Sequence, residues 1–336
     1  MNPVITDKRA KFNHQLLQLA REYRQMSQTD LAVSVRMTQA ALSKIESGIT
    51  EFISSDLLRD LSATLSFPQE FFLEDEQVTN MGSSALYNRG RKKLKASDMK
   101  WISAKINLLR RDVRRLLSGV QVNNERSIPT LPIEDEGSAS SAARKVRAYW
   151  NLPAGPVNNV TELVESAGAL IVPFDFGTRH LDGTCIWLAD CPPLIFVNEG
   201  LPADRYRWTI CHELAHLVLH TIPRETQEDE ADEFAAEFLM PGSDIKPFFR
   251  RKVSVQYFAS LKPVWGVAMA SLARRCLDLR LMSERQYRYY IINIRKLGLP
   301  EPNQFPKESP SAWKELVEFK ANRLGYSKEE LERFLN

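Results

Sequence analysis

Two histidines and a glutamate in one apolar run are the residues of this chain best placed to do chemistry. Ile210-Cys-His-Glu-Leu-Ala-His-Leu-Val-Leu219 holds His212, Glu213 and His216 in the order His-Glu-x-x-His. In a helix, residues four apart lie one turn apart on one face. Both imidazoles can then reach one metal ion, while Glu213 turns toward the water that such an ion would carry. The chain has 5 histidines, so two at this spacing in an apolar helix speak for a site rather than for histidines beside a core. A catalytic zinc takes three protein ligands and keeps a fourth position open, so one more ligand is required.

The segment Glu228-Asp-Glu-Ala-Asp-Glu-Phe-Ala-Ala-Glu-Phe-Leu-Met240 supplies a candidate. Ala231, Phe234, Ala235, Phe238 and Leu239 follow a helical stripe that stops before Pro241. Glu228 lies roughly 50° from the centre of that stripe and Asp232 roughly 90°, with Glu230, Glu233 and Glu237 beyond roughly 100°. Glu228 is the acid best aimed at a helix packed alongside. Asp232, one turn on, can accept a hydrogen bond from a ligand histidine and fix its tautomer. Glu233 and Glu237 read as a solvated face. His220 has rotated roughly 80° from His212, which suits packing or an outer hydrogen bond rather than ligation. Cys211 faces away from His212 by roughly 100° and reads as a buried free thiol.

His212-Glu-Leu-Ala-His216 followed by Glu228-x-x-Ala-Asp232-x-Phe-Ala-x-x-Phe-Leu-Met-Pro241 resembles the ImmA/IrrE metallopeptidases. The Glu-x-x-Ala-Asp run is also similar to the glutamate-ligand arrangement of gluzincins. The likeness extends through Trp150-x-x-Pro-x-Gly-Pro156, Asp182-Gly183, Val197-Asn198 and Asp204-Arg-x-Arg207 to Trp265-Gly-Val and Arg274, covering roughly residues 85 to 310. It departs at Ala268, where relatives often carry Ser. The resemblance implies a zinc metallopeptidase with a protein substrate, typically a repressor cleaved to release genes.

These residues need a scaffold. Ala142 to Trp150 and Val160 to Ser166 have helical patterns; Ala169-Leu-Ile-Val172, Thr184-Cys-Ile-Trp-Leu188 and Leu194-Ile-Phe-Val197 are short β-type runs parted by Gly, Pro and Asp-Gly turns. A small sheet ahead of the metal helix suits a zincin, whose edge strand can hold an extended peptide. The last third is helical, with Gly325 ending one helix and Ser327-x-x-Glu330 offering a capping box for another.

At the other end, Ser27 can cap a helix carrying Leu31 and Ala32, and Thr38 a second one carrying Ala41, Leu42 and Ile45. Two capped helices with a tight break read as helix-turn-helix. With Gln28, Leu31-Ala32, Thr38-Gln39, Ser43 and Glu46-x-Gly48, the block resembles the Cro/repressor-type (XRE) family. Arg36 departs from it, standing at a turn position where Gly is usual and positive φ is expected. In that fold the second helix enters the major groove. Gln39 can then pair with an adenine edge, Ser43 and Lys44 can reach base or phosphate, Gln28 touches the backbone, and Thr38 at the helix start counts with them among the expected DNA-binding residues. A helical bundle for protein contacts alone is the competing reading.

Between the two lie a linker near Asp75 to Ser84 and a basic stretch with Arg89, Arg91, Lys92, Lys93, Lys100, Arg110, Arg111, Arg114 and Arg115. Within it Met99, Ile102, Ile106, Leu109, Val113 and Leu116 form a heptad-like seam, expected to pack on the peptidase domain or to pair two chains. The net charge of +3 says little about nucleic acid. No apolar run reaches the roughly 20 residues of a membrane span, and the polar start is no signal peptide. Cys185, Cys191, Cys211 and Cys276 lack metal-knuckle spacing, as reduced cytoplasmic thiols would.

The expected fold is α+β. It comprises an all-α helix-turn-helix domain at 1–75, a linker and basic helix at 76–130, a zincin-like domain with a small sheet at 131–295, and a helical extension at 296–336. The expected function is a cytoplasmic DNA-binding regulator fused to a zinc metalloendopeptidase. Its metal ligands are His212, His216 and Glu228, with Glu213 as base and Asp232 orienting a ligand. Double-stranded DNA, a protein substrate and a second copy of the chain are the expected partners, with no membrane. The competing reading keeps the DNA-binding regulator and makes the peptidase-like domain a sensor or dimerisation scaffold that cleaves little. A purely structural zinc domain leaves Glu213 unexplained.

Overall fold

Side-chain caps punctuate the start of the chain. Asn13, Ser27, Thr38 and Ser54 each accept a backbone N–H and begin α1 (His14–Tyr23), α2 (Gln28–Ser34), α3 (Gln39–Glu46) and α4 (Ser55–Leu65). Each such cap contributes about 1 kcal/mol. The computed structural model describes residues 10–76, 78, 94–117, 125–188, 191–222, 224–250, 253–316 and 318. It is α+β and divides into two compact units, residues 1–82 with 93–113, and 83–92 with 114–336.

In the first unit, β1 (Ala10–Lys11) pairs antiparallel with β2 (Phe52–Ile53), tying the start of α1 to the stretch after α3. Leu16, Leu17, Ala20, Leu31, Leu42, Leu61, Leu65 and Phe72 make the core. Arg36, between α2 and α3, has φ 57°, the left-handed conformation expected at that turn. Gly48 has φ +77°, and a Cβ there would stand 2.9 Å from the His14 ring, so close approach and backbone both require glycine.

The helix α5 (Ala96–Leu117) buries more than the expected seam. Ala104 and Leu108 enter the core of the first unit. Arg110 pairs with Glu76 at 3.0 Å, and Arg111 forms a two-pronged pair with Glu74 at 2.7 Å while its guanidinium covers the Phe71 ring. These arginines are buried partners of acids, not a solvated basic face. Ile102, Ile106 and Val113 are buried within the single chain. Arg89, Arg91, Lys92 and Lys93, most of the linker at 75–84, and Gly325, Ser327 and Glu330 lie outside the described residues.

The second unit begins with α6 (Ile133–Glu136), α7 (Ala139–Tyr149) and α8 (Val160–Ser166). The strands β3 (Leu170–Phe174), β4 (Gly183–Ile186) and β5 (Leu194–Asn198) form a sheet of order β3-β5-β4. β3 runs parallel to β5 with Leu170 opposite Leu194; β4 runs antiparallel with Gly183 opposite Val197. Then come α9 (Ala203–Leu219), α10 (Gln227–Leu239), α11 (Gly242–Ile245), α12 (Val255–Trp265), α13 (Met269–Asp278) and α14 (Glu284–Lys296). Ile210, Leu214 and Val218 of α9, Phe234 and Phe238 of α10, Val146 of α7 and Ile195 of β5 share one core. α9 is therefore a core helix, gripped by β4 and β5 on one side and by α10 on another.

Two features depart from the sequence reading. Glu237, expected on a solvated face, is 5 % exposed and pairs with Arg275, because the Arg275 side chain reaches it from α13. Beyond α14, residues 297–311 form no helix and instead strap the unit together. Glu301 pairs with the buried Lys262 at 2.9 Å and accepts Met269 N at 3.0 Å. Glu308 pairs with Arg207 and accepts Val160 N and Thr161 N at the start of α8. Trp313 closes the strap at 6 % exposure.

Many residues that carried the upstream likeness are struts. Arg147 donates to the carbonyls of Pro153 and Gly155, shaping the loop after Trp150. Asn198 donates to the carbonyls of Thr178 and Leu181. Asp204 receives Lys262 Nζ at 2.5 Å. Ala268 is the N-cap of α13 and offers no side-chain bond, the one task a Ser would perform there.

Candidate functional site

α9 carries His212 and His216 one turn apart, and α10 runs alongside it, so the first turn of α10 faces both rings. One ligand atom each from His212, His216 and Glu228 lie within 4.8 Å of one another, a group able to hold a metal ion. The two Nε2 atoms are 3.2 Å apart. Glu228 Oε2 is 3.5 Å from His212 Nε2, and Glu228 Oε1 is 3.4 Å from His216 Nε2.

Outer hydrogen bonds fix how these rings present themselves. His212 Nδ1 is 3.0 Å from Asp232 Oδ1, and a carboxylate only accepts, so that nitrogen donates and the lone pair of a neutral ring sits on Nε2. Trp208 Nε1 reaches the same carboxylate at 3.4 Å. His216 Nδ1 meets His220 Nδ1 at 2.9 Å, and His220 Nε2 meets Glu230 Oε2 at 2.9 Å. By the same logic His220 donates to Glu230, and His216 donates to His220. Both ligand histidines thus aim a lone pair at the carboxylate of Glu228, whose buried Oε1 has no hydrogen-bond donor. Three acceptors converge with no donor among neutral rings. That is the donor set of a cation site.

With no cation present, a proton relieves this convergence instead. Burial works against the His212 imidazolium, but hydrogen bonds to Asp232 and Glu228 and the charge of Glu213 outweigh it and raise His212 to about 10. Burial works against the Glu228 carboxylate too, and the closeness of His212 and His216 overcomes it, lowering the group to about 2. Burial, then the neighbouring His216, depress His220 to about 4, so that ring is neutral. Glu213, 3 % exposed, is raised chiefly by burial, partly offset by His216 and His212. Cys185 Sγ lies 3.5 Å from the Glu213 carbonyl oxygen. His220 makes the outer hydrogen bond expected of it, whereas the sequence points to no role for its partner Glu230. The repeat His212-x₃-His216-x₃-His220 is the signal, since a residue four on lies over its predecessor.

In the first unit, Thr38 spends its hydroxyl on capping α3, accepting Ala41 N at 3.2 Å. Gln39 and Lys44 are exposed on α3, and Ser43 is half-buried. Gln39 Nε2 donates to Gln28 Oε1 at 2.8 Å, and Gln28 Nε2 donates to Glu46 at 2.8 Å. Glu46 is held in turn by a two-pronged Arg21 pair at 2.6 and 2.8 Å. The side chain of Gln28 therefore orients Gln39 across the α2–α3 turn. These residues, with Ser43 and Lys100, line an open cleft of about 550 Å³.

Residues 164–277, which include the whole sheet, α9 and α10, match the family model of the IrrE N-terminal-like domain (Peptidase_M78). No curated protein matches the chain. Among solved structures, the crystal structure of Bacillus thuringiensis PlcR in complex with the peptide PapR7 and DNA is similar at 13% identity, over 97% of this chain and 92% of that one, with a TM-score of 0.18. A superposition that loose carries no argument. No helix among the described residues is long and apolar enough to cross a membrane.

Proposed function

We propose that this chain, which carries an IrrE N-terminal-like domain, is a cytoplasmic DNA-binding transcriptional regulator whose second unit is a zinc-dependent metalloendopeptidase. The observation that carries the enzymatic half is the convergence of acceptor atoms from His212, His216 and Glu228, with Glu213 next in the chain. Two imidazoles and a carboxylate suit Zn²⁺, held with a fourth position open. When bound, the ion supplies a Lewis acid that polarises a peptide carbonyl and acidifies water.

The chain's own residues do the rest. Asp232 holds the tautomer in which His212 offers Nε2. Burial raises the Glu213 carboxyl above its ordinary value, which makes it a stronger base. Glu213 takes a proton from the attacking water and returns it to the leaving amine. A repressor is the substrate class that the family likeness implies. DNA recognition rests on α3, where Gln39 faces solvent in the orientation set by Gln28, with Ser43 and Lys44 further along.

Metal analysis of wild type and Glu213→Gln, each then incubated with co-encoded repressors, tests the enzymatic half. About one zinc per chain is expected in both proteins, with cleavage by wild type alone. Equal cleavage by the variant removes Glu213 as the base.

A further inference from the structure

His220 is the member of the α9 histidine ladder that the proposed chemistry leaves unused. Its side chain is 3 % exposed, and both ring nitrogens are engaged. Nε2 lies 2.9 Å from Glu230 Oε2, and Nδ1 lies 2.9 Å from His216 Nδ1. The other oxygen of Glu230 accepts from the Thr226 hydroxyl at 2.7 Å. A carboxylate cannot donate, so the proton toward Glu230 belongs to His220 Nε2. A neutral imidazole then keeps its lone pair on Nδ1, and the proton between the two Nδ1 atoms belongs to His216. His216 is left with one lone pair, on Nε2, which faces Glu228 Oε1 at 3.4 Å.

We propose that His220 and Glu230 form a positioning relay that selects the tautomer and ring orientation in which His216 can ligate a divalent cation. The inference rests on the metal-binding reading above and adds residues to it. The two ligand histidines are set by different means. Asp232 contacts His212 directly, whereas the carboxylate serving His216 stands one imidazole further away, at the far end of the first turn of α10. Thr226, immediately before α10, anchors that carboxylate. Without an acceptor at His220, the His216 proton is free to move to Nε2 and block ligation.

The test uses the full chain, stripped with a chelator and titrated with zinc against a chromophoric competitor. His220→Leu should weaken zinc binding by roughly 10- to 100-fold, the usual effect of losing an outer partner. His220→Asn, which restores an acceptor near the Nδ1 position, should recover most of that loss. Glu230→Gln should weaken binding more mildly. In the zinc-loaded wild type, ring-nitrogen NMR should find His216 protonated on Nδ1. An unprotonated Nδ1, or Leu and Gln variants that bind zinc like wild type, overturns the relay. So does His220→Asn as weak as His220→Leu, because packing alone would then explain the residue. If His220→Leu does not fold, the Glu230→Gln affinity and the His216 tautomer decide. Wild type binding zinc no better than His216→Ala defeats the metal-binding reading itself, and the relay falls with it.

Discussion

Gly183 backs directly onto Glu213: a Cβ on this glycine would stand 3.4 Å from Glu213 Cγ and 2.5 Å from Thr209 Cγ2, with the Phe196 carbonyl oxygen at 2.9 Å. The first residue of β4 thus lets the strand lie against α9 at the level of the candidate base. Gly183→Ala must push strand and helix apart, an overpacking strain of about 1–3 kcal/mol. We expect a lower denaturation midpoint, unchanged zinc content and reduced peptidase rate. An alanine variant as stable and active as wild type would show that the approach does not matter.

Zinc affinity should depend on pH with a definite slope. In chelator-treated protein His212, raised to about 10, carries a proton that zinc must displace, whereas Glu228, lowered to about 2, is already ionised. A raised pKa on a ligand means that protons compete below it, so affinity falls as pH falls. Between roughly pH 6 and 9 one proton from His212 should leave per zinc bound, changing apparent affinity about tenfold per pH unit. Titration calorimetry in buffers of different ionisation heat counts that proton directly. Affinity flat across this range would contradict the assigned electrostatics.

Ala268 begins α13 with an extended backbone, φ −64° and ψ 150°, and no side-chain cap. Ala268→Ser should stabilise the chain by about 1 kcal/mol, the ordinary value of an N-cap hydroxyl. Chemical denaturation reads the change. A loss of stability would mean that Glu301, already bonded to Met269 N, leaves no room for the hydroxyl.

On DNA, Gln39→Ala should relax preference at one base pair at a loss of roughly 1–3 kcal/mol, while Lys44→Ala should weaken all sequences alike and lower the salt slope by about one. Gln28→Ala removes the amide that orients Gln39 and should reproduce part of the specificity loss. Residues 1 to about 80 that fold but bind no DNA at low salt would make the first unit a protein-interaction module.

The local parts of this molecule were legible in its sequence. Capped helices, short apolar strands and the spacing of His212, His216 and Glu228 are patterns within a few turns, and the elements carrying them stand where periodicity put them. What escaped is non-local. The seam on α5 was visible, but Ala104 and Leu108 lie off that stripe, and nothing in the spacing announced that Arg110 and Arg111 would meet Glu76 and Glu74. Glu237 followed a polar helical angle and was still buried, because Arg275 arrives from a helix nearly forty positions later. His220 was read against His212, two turns back, when its partner was His216.

Homology and foldability have different edges in this chain. The family match stops at residue 277, yet Arg207 on α9, the helix of His212 and His216, is neutralised by Glu308, and Lys262 shares Glu301 with the first turn of α13. A fragment trimmed to the matched limits would strand Arg207 in the interior without its carboxylate, and breaking a buried pair on one side typically costs about 3–5 kcal/mol. The smallest piece of this chain that could be studied as an independent second unit therefore reaches at least to Trp313. Sequence kinship alone would place the cut too early.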